Sequence, residues 1–146
     1  MKIISLGSSC DVATNLKRIG INHPTLFFDY LWNELNGLKD VNKIIINNFE
    51  NFNNINNYTK TTNHPILNWD SFNINKYYPM IVFIHHDTTK QIIIDSLNRK
   101  IERTLNILSN NEMKIFIYYR HYNTCIDLDI IQESLDFCDI YKKKYN

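Results

Sequence analysis

Residues 2–11, Lys-Ile-Ile-Ser-Leu-Gly-Ser-Ser-Cys-Asp, constrain this chain more than any other stretch. Ile3, Ile4 and Leu6 leave a short strand at residues 2–7 apolar on both faces, the pattern of a strand inside a parallel sheet. Gly7, Ser8 and Ser9 make a tight turn, and a helix follows over residues 10–19. Its apolar stripe is Val12, Ala13, Leu16 and Ile19, and Gly20 stops it. A strand that feeds directly into a helix opens an α/β layer fold. It also sets the Cys10 thiol at the positive end of a helix, where unpaired N–H groups favour a thiolate.

Beyond Pro24 the chain runs through its densest aromatic segment, residues 26–32, with Asp29 among Phe27, Phe28, Tyr30 and Trp32. A carboxylate among rings needs a hydrogen bond or a charge. Asp29 therefore either caps a helix over about residues 30–37 or faces a site. Leu38, Val41, Ile44 and Ile45 predict a helix over 38–48. Residues 49–78 lose all period and read as a long irregular insertion with short strands near 58–61 and 66–69. A buried strand follows at 80–85, ending in His85, His86 and Asp87. The best helix spans 90–109 on a stripe of Ile93, Leu97, Ile101, Leu105 and Leu108, with Arg99 and Arg103 on another face. A third strand at 114–119 ends in Arg120 and His121, and a last helix spans 127–143. There Asp127 and the run Lys142, Lys143, Lys144 match the helix's own dipole.

This order predicts a single α/β domain, residues 1–146, with three layers: a mostly parallel sheet and helices on both faces. Ligands of such sheets gather at the carboxyl ends of the strands. Three of those ends carry Ser8, Ser9 and Cys10, then His85, His86 and Asp87, then Arg120 and His121.

The net charge of +1 makes no case for nucleic acid or a membrane surface as partner. Three cysteines, Cys10, Cys125 and Cys138, without a C-x-x-C, point away from a disulfide framework or a zinc knuckle. No signal peptide and no apolar run of roughly 20 residues is expected, so a cytoplasmic, reducing compartment is the simplest reading. Gly7 stands without a second glycine of a dinucleotide or P-loop motif, and no cofactor or metal is expected.

The chemistry these ends suit is nucleophilic catalysis by a thiol. Cys10 would be the nucleophile, with N–H groups of residues 9–11 as an oxyanion hole. His86, or His85, would be the base. Asp29 or Asp87 would orient the imidazole. Ser8, Ser9 and Arg120 would bind substrate, Arg120 as an anion clamp. Two other readings stay open. One is a non-catalytic binding module that holds an anion at the strand ends. The other is an esterase with Ser8 or Ser9 as nucleophile.

The same residues carry a likeness. Ser5 to Ala13, Leu16, Gly20, the run Phe28, Asp29, Tyr30, then His86 and Asp87 after a strand, Arg99, Arg103 and Arg120 resemble a family of bacterial and large-virus proteins of unknown function described as papain-like cysteine peptidases. The resemblance spans about residues 2–121. It implies a Cys10–His86 site and a protein or peptide substrate, cleaved at peptide or isopeptide bonds. A papain-like fold would set the cysteine helix before an antiparallel sheet, whereas the pattern here predicts a parallel one.

Overall fold

The structure is a computed structural model and describes residues 1–7, 9–21, 24–33, 36–62, 72–83, 86–119 and 127–145. The first strand, β1 (Lys2–Ser5), pairs in parallel with a strand from the far end of the chain. Its partner β5 (Lys114–Ile117) aligns Lys2 with Lys114 and Ser5 with Ile117. Leu6 N–H extends the ladder to the Ile117 carbonyl at 2.9 Å. This is the parallel pairing that Ile3, Ile4 and Leu6 predict, with Ile4 and Leu6 buried, but its other face is not covered as expected: Ile3 is half-buried and its partner Ile115 is exposed.

The middle strand departs from that prediction. β4 (Tyr78–Phe83) joins an antiparallel sheet with β3 (Phe72–Asn75) and β2 (Tyr58–Thr61), in the order β2-β3-β4. The fold is thus α/β with one parallel pair and one antiparallel sheet. Within the insertion expected at 49–78, the short strand expected near 58–61 is β2, and Phe72–Asn75 adds β3, which the sequence pattern does not predict. The proposed strand near 66–69 lies outside the described residues. The helix expected over 30–37 does not form at the residues described there, 30–33 and 36–37. A 3-10 turn spans Phe27–Tyr30, and the chain then extends so that Trp32 and Val82 exchange both backbone hydrogen bonds, at 3.2 and 2.9 Å. The extended course leaves Leu31 buried and packs Trp32 beside Val82 of β4.

Helices α1 (Asp11–Arg18), α2 (Leu38–Ile46), α3 (Gln91–Ser109) and α4 (Asp127–Tyr145) follow the predicted periods, with two changes of face. Ile19, expected in the α1 stripe, is exposed at the end of the helix. On α3 the buried side is Ile94, Leu97, Lys100, Ile101, Thr104 and Leu108, so a lysine and a threonine lie in the stripe. Arg99 and Arg103 face solvent as expected.

One contiguous core joins β1, the aromatic turn, α2, β2, β4, α3 and Phe137 of α4. Its centre is aromatic: the Phe27 ring meets Phe28, Phe49 and Phe52 edge-on at 5.3, 5.1 and 4.8 Å. Phe49 enters it with φ of +60°, a strained conformation for an aromatic residue that packing must hold. The Asn-rich stretch is therefore a source of core residues rather than a loose loop.

Helices α2 and α4 run in the same direction and lock at both ends. Buried Glu133 accepts the Leu38 N–H at 3.0 Å, at the positive end of α2. Lys144 Nζ donates to the Ile46 carbonyl at 2.7 Å, and to that of Ile45, at the negative end. Lys144 was expected to serve the dipole of its own helix. Parallel packing brings both C-termini together, and it serves that of α2 instead.

Candidate active site

Gly7 is where strand becomes site. Its φ is +89°, and a Cβ there would stand 3.3 Å from the Phe28 carbonyl oxygen and 3.4 Å from Asn33 Oδ1. Only glycine allows both the left-handed turn and this approach. The turn is thereby pressed against the 3-10 turn that carries Asp29. Ser9 is 1% exposed; its Oγ donates to Asp11 Oδ2 at 2.7 Å and accepts the Asp11 N–H at 3.2 Å. With donor and acceptor both committed and almost no exposure, Ser9 has neither a free proton nor access to substrate. One of the N–H groups expected to face an oxyanion, that of Asp11, is taken by this hydroxyl.

Cys10 sits at the cap position of α1, where its carbonyl accepts the Thr14 N–H at 2.9 Å. Its side chain makes no capping bond, is half-buried and forms no disulfide. The thiol is thus left to the helix end and to solvent. A cleft of about 400 Å³ starts at the next residue, between α1 and the end of β5, lined by Asp11, Val12, Leu16, Ile19, Ile117 and Tyr119.

Asp29 is 1% exposed and caps its own turn, Oδ2 accepting the Leu26 N–H at 2.7 Å. The capping expectation is correct in kind, but the segment capped is the turn from 27 to 30. Asp29 also acts electrostatically on Lys100 of α3. Lys100 Nζ lies 3.1 Å from His86 Nε2. Burial pulls the Lys100 amine below the usual lysine range, Asp29 pushes it back up, and Arg103 pulls it down. His86 is held from a second side, its carbonyl accepting Asn73 Nδ2–H at 3.1 Å and the Thr88 N–H at 3.0 Å.

Asp87 points elsewhere. It is exposed, accepts Thr89 Oγ1–H at 2.5 Å and pairs with Lys90 at 3.3 Å, which holds its carboxyl below the usual range, the Thr89 bond most of all. It organises the turn into α3. Ser8, His85 and Arg120 lie outside the described residues, as do His23, His64, His121 and Cys125. The structure thus brings Asp29, Lys100 and His86 together, and sets Cys10 on the turn packed against Asp29's segment.

Lys100 is the residue that sequence reasoning passed over. Its signal was legible: it lies three residues after Leu97 and four before Thr104, on the buried face of an otherwise amphipathic helix. Among the described residues no group of three or more His, Cys, Asp or Glu side chains is placed to hold a metal, and no helix is long and apolar enough to cross a membrane.

The described parts are a half-buried helix-end thiol and a lysine–imidazole contact with Asp29 acting on the lysine, and comparison with known families supplies a class for the chain. The model of the family described as "Putative papain-like cysteine peptidase (DUF1796)" matches residues 1–134, and the chain belongs to that family. No curated protein and no solved structure matches it.

Proposed function

We propose that the protein is a thiol-dependent hydrolase of peptide or isopeptide bonds. Cys10 is the nucleophile and His86 the base. Asp29 acts on the imidazole by way of Lys100, and Asp87 stays outside the reaction. The carrying observation is the state of Cys10: a half-exposed thiol at a helix start, free of capping and disulfide bonds. Attack by Cys10 Sγ on a substrate carbonyl forms an S–C bond while the thiol proton passes to His86. That proton then leaves with the amine, and water frees the acyl group. The cleft beside α1 is placed to take the substrate's side chains, and its apolar wall favours apolar ones.

The test is a thiol-reactive activity probe together with a mixed fluorogenic peptide library. Cys10 should be labelled faster than the more exposed Cys138 at pH 7. Hydrolysis should vanish in Cys10→Ala and fall on the order of 100-fold in His86→Ala. Labelling of Cys10 no faster than Cys138, with no peptide cleaved, would refute the proposal. The serine-esterase reading loses Ser9 to its bonds with Asp11.

A further inference from the structure

A lysine on a helix normally carries its amine to water along its flexible stem. Lys100 does the opposite: it is 8% exposed and ends on an imidazole nitrogen. We infer that Lys100 is a positioning residue for His86, holding the ring by Nε2 and thereby deciding which ring nitrogen carries the hydrogen. The contact belongs to the structure itself; only its consequence for Cys10 rests on the reaction proposed above.

An ammonium has three donors and no acceptor, so with Lys100 protonated the nitrogen it meets must be the bare one. On this inference the neutral His86 ring carries its hydrogen on Nδ1. Among the described residues, the charges that act on the Lys100 amine are Asp29 from the 3-10 turn, which favours the ammonium, and Arg103 on α3, which opposes it. Asp87, the neighbour of His86 in the chain, is engaged by Thr89 and Lys90. A positive charge at 3.1 Å opposes a second proton on the ring. The observed arrangement is then a resting form. While Lys100 holds Nε2, the ring has no lone pair for the Cys10 proton. Breaking S–H and forming N–H at Nε2 requires Lys100 to turn toward Asp29 first.

Long-range proton–nitrogen spectra of histidine-labelled protein, with His86 assigned by His86→Gln, test this without any substrate. At pH 7 the wild type should show the Nδ1–H tautomer; an Nε2–H tautomer or an imidazolium overturns the inference. In Lys100→Met the His86 titration midpoint should rise by about one pH unit or more, while Lys100→Arg, which keeps a cation before Asp29, should stay within a few tenths of a unit of the wild type. Equal midpoints in wild type and Lys100→Met overturn it as well, and should that variant not fold, the wild-type tautomer decides alone. Alkylation of Cys10 by iodoacetamide should quicken severalfold in folded Lys100→Met. An unchanged alkylation rate beside the expected tautomer and midpoints supports the Lys100 contact and counts against the Cys10–His86 pair.

Discussion

Lys100 and Lys144 are both drawn out of solvent, and burial lowers the affinity of each amine for its proton. Their surroundings differ in one respect. Lys144 meets carbonyl oxygens at the end of α2, opposite Glu133 at the other end of the same helix. These partners of Lys144 are backbone dipoles, which cannot titrate, so its charge serves to hold the helix in place. Lys100 meets His86 and faces Asp29, two side chains that change charge. A lysine against fixed dipoles is a fastening, whereas a lysine between titratable groups shares a proton inventory with them. The same residue type therefore reads as architecture in one region and as site in the other.

The largest test of this contrast is Asp29→Ala. It removes the Leu26 cap and leaves a buried amine without its opposing charge, which should cost about 3 kcal/mol in denaturant unfolding. A loss below about 1 kcal/mol would mean that Lys100 does not depend on Asp29. Glu133→Ala strands the Leu38 N–H and should cost about 2 kcal/mol. Lys144→Met should cost about 1 kcal/mol. Neither should alter the Cys10 labelling rate. A changed rate would break the division between fastening and site.

Tyr58 sharpens the contrast from a third side. Its buried hydroxyl donates to the Phe52 carbonyl at 2.9 Å, and desolvation raises its pKa well above the ordinary phenol value of 10.0. The folded state thus keeps a proton that the unfolded chain gives up above pH 10. Stability from this group is complete below that point and falls by about 1.4 kcal/mol per pH unit above it. Tyr58→Phe should show a shallower alkaline loss than the wild type in melts from pH 9 to 11. Equal slopes would place the phenol in contact with water. The smallest effect belongs to Asp87→Asn, an exposed turn group, whose substitution should leave stability within about 0.5 kcal/mol and hydrolysis intact. A large loss of hydrolysis with the fold retained would return Asp87 to the site.

Several parts of the molecule were legible before any coordinates. The β1–turn–α1 unit follows from Ile3, Ile4, Leu6, Gly7 and the Val12/Ala13/Leu16 stripe, because local patterning and turn chemistry agree there. Helices α2, α3 and α4 and strands β4 and β5 were visible for the same reason, as was Cys10 at the helix start. The partnership of β4 was not, since a strand's period says which faces are buried and nothing of which edge it joins. Phe49, Phe52 and Asn75 sit in a stretch without period, and their burial is set by contacts with distant segments.

From the sequence alone come the strand-to-helix turn, its thiol, the helical stripes and the family, because these depend on neighbours within a few residues or on residue order. Tertiary structure alone decides that Lys100 ends on His86 and Lys144 on α2. A long flexible side chain has no local instruction about its terminus, and its partner is chosen by which elements pack against its helix.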